Sequence, residues 1–273
     1  MQKYEVKSPA SEAQIATMFD KIAARYDFLN HLLSAGQDLR WRKALLNAVP
    51  PGTKSFLDLA TGTGDVVIAQ AERLQKAERL QKAERLQQAT QQQKAERNSD
   101  KPIAAESKAM NLVGGDISEN MLSLAREKSA KLPSRWRPQF MKINAEKIPY
   151  ADNSFDCITI SFGLRNVVNK PEALKEFSRV LTPGGRVLIL EFFLPQSTFL
   201  SRLFMFYFHR VLPFIAGLFS DKAAYQYLPQ SVGSFYSLRE LDKLLEGLSF
   251  SPSLKKEFLF GTVKLLGYDR ASI

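Results

Sequence analysis

Cysteine and histidine are almost missing from this chain. Of its 273 residues one is cysteine, Cys157, and two are histidine, His31 and His209. A single thiol excludes an intramolecular disulfide and fits a reducing compartment. So few soft ligands, far apart in sequence, leave no set for a structural zinc ion, and no metal is expected. Each histidine reads as an ordinary surface or packing residue. Also missing is the run of about 20 apolar residues that a membrane-spanning helix needs. The longest apolar stretch, Leu203–Phe208 and then Val211–Phe219, is broken by His209, Arg210 and Pro213. Met1–Pro9 is polar and lacks the apolar core of a signal peptide. The expectation is a cytoplasmic chain.

What is present suits a folded enzyme-sized unit. Apolar residues make up 45% and charged residues 24%, enough for a sizeable core and too apolar for overall disorder. The net charge of +10 is spread along the chain rather than gathered in a basic run. No basic groove with stacking aromatics can be traced, so nucleic acid is not expected as a partner. Solubility or an anionic membrane surface remain as readings of the charge.

Periodicity predicts a helical start, with Ser11 capping a helix over Glu12–Tyr26 and a second over Leu39–Val49. From residue 51 onwards strands and helices alternate. Strands are predicted at Ser55–Leu59, Met110–Gly114, Gln139–Asn144, Phe155–Ser161 and Arg186–Phe192. Helices are predicted from Asp65, at Ser118–Lys131 and at Pro171–Leu181. Pro183-Gly184-Gly185 reads as a turn. After residue 196 come an apolar helix (Phe199–Leu218), a helix near Ser237 and two strands, Lys255–Phe260 and Val263–Tyr268. Alternation of this kind implies an α/β fold with a mostly parallel sheet and right-handed crossovers.

The helix from Asp65 runs into an internal repeat. Residues 71–76 and 77–82 both read Ala-Glu-Arg-Leu-Gln-Lys, and 83–88 end in Gln instead. Six steps of about 100° leave successive leucines about 120° out of phase, so Leu74, Leu80 and Leu86 spiral around the helix. No coiled-coil seam can form on a period of six. The repeat reads as a solvated helical extension, followed by a disordered stretch to about Lys108.

The segment Leu57-Asp58-Leu59-Ala60-Thr61-Gly62-Thr63-Gly64-Asp65 is a strand, a glycine turn and a helix start. This is an edge suited to a nucleotide-like ligand, because glycines admit close backbone approach and the helix N-terminus offers free N–H groups. A third glycine in the dinucleotide spacing is absent, and no Gly-Lys-Ser/Thr follows. Asp58 would oppose a pyrophosphate and suit a cofactor carrying an ammonium, which favours S-adenosylmethionine (SAM) over NAD. Asp116 ends the second strand, where a carboxylate can grip a ribose diol. It lies 58 residues after Asp58, and the repeat accounts for the excess. The insertion joins the first helix to the second strand, at the sheet edge opposite the ligand. The other reading of Asp116 is a helix N-cap.

Four stretches make the chain resemble the quinone-biosynthesis C-methyltransferases, which act on demethylmenaquinol and on 2-methoxy-6-polyprenyl-1,4-benzoquinol. They are Phe19-Asp20-Lys21-Ile22-Ala23 with Arg25-Tyr26-Asp27 and Asn30; the turn from Leu57 to Asp65; Asn144-Ala145-Glu146 with Pro149; and Asp152 through Ser161-Phe162-Gly163-Leu164-Arg165-Asn166-Val167. The match spans nearly the whole chain outside residues 71–109, and its 161–167 segment is the most specific part. Ala60 departs from the general pattern, where glycine is commoner.

The resemblance implies a Rossmann-like class I SAM-dependent methyltransferase fold, with seven strands, mostly parallel, and helices on both faces. It implies a helical cap over residues 1–50 and a methyltransferase domain over 51–273. That domain is interrupted at about 71–109 by the repeat-rich insertion. It also implies that Thr63, Asp116, Asn144, Ala145 and Ser161 contact SAM, with Asp116 on the ribose and Asn144-Ala145 beside the adenine; Gly62 joins them from the turn. The substrate implied is a prenylated quinol, with demethylmenaquinol ahead of the benzoquinol.

C-methylation of a quinol needs an electron-rich ring carbon, which loss of a hydroxyl proton supplies. Arg165, permanently cationic, is the candidate to hold the quinolate or a water that takes the proton. Asn166 could orient the same oxygen, and Tyr26 and Asp27 could close the site. An apolar substrate segment at about 196–235 would line a tail site or lie on the inner face of the membrane; a homodimer contact or a core helix is the other reading. The alternatives in function are a methyltransferase for another small hydrophobic molecule and a SAM-binding scaffold without catalysis. The second would be expected to lose Asp116 or the Gly62–Gly64 turn, and neither is lost. Limited proteolysis should cut first within residues 85–108, and full protection there would overturn the reading of the insertion.

Overall fold

A computed structural model of the chain describes residues 11–95, 110–194 and 230–272, together with Phe199 and Phe206. Most of the apolar helix expected over Phe199–Leu218, and residues 96–108 of the stretch expected to be disordered, lie outside the described residues; the start of that stretch, up to Ala95, is helical instead.

The N-terminal helix, α1, spans Glu12–Leu33, closed at its start by a reciprocal Ser11–Gln14 capping box. It outruns the expected end at Tyr26. Fully buried Leu29 continues the seven-residue spacing of Ile15 and Ile22, so the apolar face extends two more turns. A second helix, α2, covers Gln37–Leu46. The alternating region then gives β1 (Ser55–Leu59), α3 (Asp65–Ala95), β2 (Asn111–Asp116), α4 (Glu119–Ser129), β3 (Gln139–Lys142), β4 (Phe155–Ser161), α5 (Lys170–Val180) and β5 (Leu181–Phe192). The last described elements are α6 (Leu238–Glu246), β6 (Phe250–Phe258) and β7 (Val263–Arg270).

The seven strands form one sheet of order β3-β2-β1-β4-β5-β7-β6. The first five are mutually parallel, and β7 runs antiparallel to both neighbours. Strand alternation divides the core into two faces. Leu57, Leu59, Ile158, Ile160 and Ile189 pack with Phe177 of α5 and Leu241 of α6. Phe56, Leu112, Cys157, Leu188 and Leu190 pack with Trp41 and Leu45 of α2 and Val67 of α3. The Cys157 thiol is fully buried, which pushes its pKa up and leaves it inert. Chain order reverses between β1 and β4, and at such a switch point ligands bind beyond the carboxyl ends of the strands.

Two boundaries correct the sequence expectation. Strand β6 begins at Phe250 rather than Lys255 and stops before Leu259-Phe260, which form a 3-10 turn with Gly261. It is the edge strand and is exposed along most of its length, so it admits Ser251, Lys255 and Lys256, and Pro252 sits at its register shift. Pro183-Gly184-Gly185 lies within β5, where the pairing jumps from Phe155↔Leu181 to Cys157↔Arg186. A bulge absorbs what reads as a turn.

The repeat is helical as expected. Helix α3 runs through at least Ala95. Leu74 is half-buried, whereas Leu80 and Leu86 are 55% and 59% exposed, as a six-residue period dictates. Glu78 pairs with Arg135. Among the described residues no helix is long and apolar enough to cross a membrane. Leu80→Gln and Leu86→Gln should each change stability by no more than about 0.5 kcal/mol, whereas Leu57→Ala should destabilise by about 2–5 kcal/mol. Urea unfolding of the three variants measures both.

Candidate active site

The carboxyl ends of β1, β2, β3 and β4 surround a cleft, the place where a sheet of this topology binds ligands. Gly62, Asp116, Asn144, Ala145 and Ser161 all line it, beside Ala60, Gly163 and Asn166. Helix α1 forms the opposite wall with Glu12, Ile15, Phe19 and Tyr26. Five residues of the expected cofactor set are therefore brought together with Asn166 and Tyr26 of the expected catalytic end.

Asp116 is 8% exposed. Its Oδ2 accepts the Gly62 N–H at 2.8 Å and its Oδ1 accepts the Ser118 N–H at 2.9 Å. Burial raises its pKa, opposed by the backbone donors of Ser118, Gly62 and Ile117. The N-cap of α4 is Ser118, whose Oγ accepts the Met121 N–H, so Asp116 is not the cap. Its carboxylate is tied to the glycine turn and has lone pairs left for a ligand hydroxyl.

Thr63 does not line the cleft. Its hydroxyl donates to Asp27 Oδ1 of α1 at 2.6 Å and accepts from Lys128 Nζ at 3.0 Å. Lys128 also holds Asp27 Oδ2 at 2.9 Å and Asp65 Oδ1 at 2.5 Å. Burial alone would lower its pKa, but the two carboxylates outweigh that and raise it. Asn144 lies in the cleft with both ends engaged, Nδ2 donating to Glu12 Oε2 at 2.7 Å and Oδ1 accepting the Glu146 N–H at 2.8 Å. A third contact from α1 joins Asp20 to the hydroxyl of Ser118. Helix α1 is thus clamped over the cleft at three points along its length.

Asp58 does not face the cleft, contrary to the cofactor-ammonium argument made from its position. Its two oxygens accept the hydroxyls of Thr61 and Thr159, each at 2.6 Å. Loss of water pushes its pKa up to about 7 against those hydrogen bonds. No sequence signal pointed to Thr159, which is 101 residues away.

Arg165 is also behind the cleft rather than on its wall. Its Nη1 donates to Glu191 Oε1 at 2.6 Å and to the Phe162 carbonyl. Glu191 is fully buried and was missed from sequence, although an acid inside an apolar strand is a legible oddity. Three buried polar atoms at this end have no partner among the described residues: Ser161 Oγ, Asn166 Oδ1 and Arg165 Nε. Buried polar atoms are nearly always satisfied, so the unpaired Ser161 and Asn166 atoms on the cleft wall suit a polar ligand.

The walls approach closely. A Cβ on Gly163 would lie 2.4 Å from that of Ala60, so glycine is required there. Ala60 itself has φ 49°, the left-handed region in which glycine is favoured. The residues present fit an adenosine cofactor: an acid at the end of β2, a glycine turn at the end of β1, and apolar walls from Ile15, Ile117, Met121 and Ile143 for a flat ring.

This sheet order and site define a class I SAM-dependent methyltransferase fold. A solved SAM-dependent methyltransferase from Thermotoga maritima superposes with a TM-score of 0.58 at 17% identity, covering 94% of this chain and 99% of that one. The model of the ubiE/COQ5 methyltransferase family matches residues 7–265. The chain is 40% identical over 250 residues to the ubiquinone/menaquinone biosynthesis C-methyltransferase of Geobacter sulfurreducens, covering 91% of this chain and 85% of the relative. It is 38% identical over 256 residues to the demethylmenaquinone methyltransferase of Thermus thermophilus, covering 93% of this chain and all of the relative. The chain belongs to the ubiE/COQ5 methyltransferase family.

Asp58 gives a pH test. Its folded-state pKa is raised above the ordinary 3.8, so folding favours the protonated acid. That contribution is complete below about pH 4, declines by about 1.4 kcal/mol per pH unit toward pH 7, and is then flat. Asp58→Asn should remove this slope, so the variant should gain on the parent between about pH 4 and pH 7. Equal pH dependence of the two in urea unfolding would contradict the assignment.

Proposed function

We propose that this protein transfers a methyl group from SAM to a ring carbon of a prenylated quinol, with demethylmenaquinol as the first substrate to test. The observation that carries the reading is the polar lining of the cleft, to which the unpaired Ser161 Oγ and Asn166 Oδ1 and the Asp116 carboxylate all belong. The names of the relatives, a ubiquinone/menaquinone biosynthesis C-methyltransferase and a demethylmenaquinone methyltransferase, support the quinol.

Gly62, Asp116, Asn144, Ala145 and Ser161 would hold SAM, with Asp116 on the ribose hydroxyls and Asn144-Ala145 beside the adenine. Thr63 would act from behind, fixing the turn through Asp27 and Lys128. When bound, SAM supplies a methyl group on a positive sulfur, electrophilic without further activation. The chain must exclude water, align the ring carbon and favour the quinolate. Tyr26 and Phe19 of α1 close the cleft against water. Loss of a hydroxyl proton makes the ortho carbon of the quinol nucleophilic; after the new carbon–carbon bond forms, the proton on that carbon leaves and the ring becomes aromatic again. Asn166 would orient the quinol oxygen. Arg165 would enter through Nε, which is buried and has no partner among the described residues, as a donor to that oxygen or to a water beside it.

The prenyl tail and the net charge of +10 support peripheral contact with an anionic membrane as part of this proposal. Exposed apolar residues at the tip between β6 and β7, Leu259 and Phe260, add to that support.

Incubation with SAM and chemically reduced demethylmenaquinone should yield menaquinol carrying one added methyl on the ring, read by mass spectrometry. No methylation of any prenylated naphthoquinol or benzoquinol would reject the reading. Asp116→Ala should weaken SAM binding by about 10- to 100-fold, the effect of losing hydrogen bonds to a charged group; calorimetry measures it, and unchanged affinity would remove Asp116 from the site.

A further inference from the structure

We propose that Glu191 is a positioning residue for methyl transfer, setting through Arg165 the turn from which Asn166 faces the cleft. This rests on the methyl-transfer reading above.

Glu191 stands at the carboxyl end of β5, in the middle of the sheet, and is fully buried. A carboxylate there is unfavourable unless its charge and lone pairs are matched. Three donors match it. Arg165 Nη1 reaches Oε1 at 2.6 Å, the Arg165 backbone N–H reaches Oε2 at 3.2 Å, and the Phe192 N–H reaches Oε1 at 2.8 Å. Two of the three come from one residue, which is thereby gripped by main chain and side chain together.

Charge neutralisation alone would not need Arg165. Lys264 lies directly opposite Glu191 in the β5–β7 ladder and is buried, yet its Nζ binds Glu257 Oε1 at 2.7 Å. The Glu191 carboxylate is directed to the turn after β4 instead.

That turn is strained. Phe162 has φ 57°, unfavourable for a bulky side chain, and Gly163 follows it against Ala60. The Phe162 carbonyl accepts from Arg165 Nη1 and from Asn166 Nδ2, the latter at 3.4 Å. A continuous chain therefore runs from Glu191 through Arg165 to the Phe162 carbonyl and Asn166. It fixes Ser161 at one end and leaves Asn166 Oδ1 and Arg165 Nε unpaired at the other. Because the Arg165–Glu191 pair is neutral as a unit, its gift to the reaction is a directed donor rather than net positive charge.

The test compares Glu191→Gln and Glu191→Asp with the parent enzyme, using SAM and a reduced prenylated naphthoquinol. S-adenosylhomocysteine affinity and quinol KM should stay within about threefold, because neither ligand touches Glu191. kcat should fall about 100-fold in Glu191→Gln and about 10-fold in Glu191→Asp, the scale of an ångström of misplacement at a reacting centre. A folded Glu191→Asp or Glu191→Gln with kcat within threefold of the parent overturns the proposal. If neither single variant folds, the uncharged pair Arg165→Gln/Glu191→Gln is compared with Arg165→Gln alone, both checked by S-adenosylhomocysteine binding. Because Glu191 acts through Arg165, the two should share the same reduced kcat; near-parental kcat in the pair, or a kcat more than threefold below that of Arg165→Gln, overturns the proposal. A parent enzyme inactive on every quinol rejects the function proposed above and this inference with it, whereas an active parent with unaffected variants rejects the inference alone.

Discussion

Two hydroxyl hydrogen bonds received by Asp58 hold together the strand ends on which everything else is built. Thr61 follows β1 and Thr159 sits within β4, so one carboxyl joins the two strands that flank the switch point. Asp58 is buried, so the bonds are strengthened by the low local dielectric and the group is pushed toward its neutral form. The same turn is pinned from the β2 side, where Thr61 N–H donates to the Gly115 carbonyl at 3.0 Å and Gly62 N–H to Asp116. The glycine turn is thus held by both neighbouring strands before any ligand arrives. Preorganisation of this kind avoids an ordering loss at the moment of binding.

Helix α1 completes the cleft on different terms. Its apolar face packs on α4 through Ile22, Ala23 and Met121, while its acids reach polar groups along the cleft rim. Glu12 holds Asn144, Asp20 holds Ser118 and Asp27 holds Thr63. These bonds are partly exposed and individually weak, so the helix is a wall that can be loosened one clamp at a time. The cleft thus has a floor of strand ends tied by buried bonds and a helical wall tied by partly exposed ones.

Much of this was legible in the sequence where local chemistry sets local structure. β1 and β4 carry the expected bounds because apolar runs end at a glycine turn and at Ser161, and α4 begins one residue after its serine cap. Legibility failed where the partner is remote or the pattern is one-sided. Thr159 and Glu191 matter through contacts that only the sheet order creates. Strand β6 is polar along much of its length because it is an edge, and periodicity alone started it five residues late. Arg165 was recognised as a special cation, but its counter-ion lies 26 residues on, in the next strand. A charge in the sequence says that a partner is needed; it does not say whether the partner is substrate or protein.

The repeat in α3 shows why such a long addition leaves the cleft alone. Helix α3 starts at the glycine turn and runs away from it, and β2 begins again at Asn111, whose N–H binds the Lys54 carbonyl at the opposite edge of the sheet. Added residues therefore enter and leave far from Asp58 and Asp116. The first turns stay docked, with Arg73 bound to the Leu46 carbonyl and Glu78 paired with Arg135. Beyond them a six-residue unit rotates its leucine by about 120° at each copy, so no copy must match a face of the protein. A heptad unit would have built a continuous apolar stripe and demanded a partner. The six-residue period demands none, and a helix of this composition supports itself with Glu–Lys pairs four residues apart, each worth about 0.3 kcal/mol. The distance of the repeat from the cleft thus follows from the direction in which α3 leaves the glycine turn, and the spread of its described leucines around the helix follows from its period.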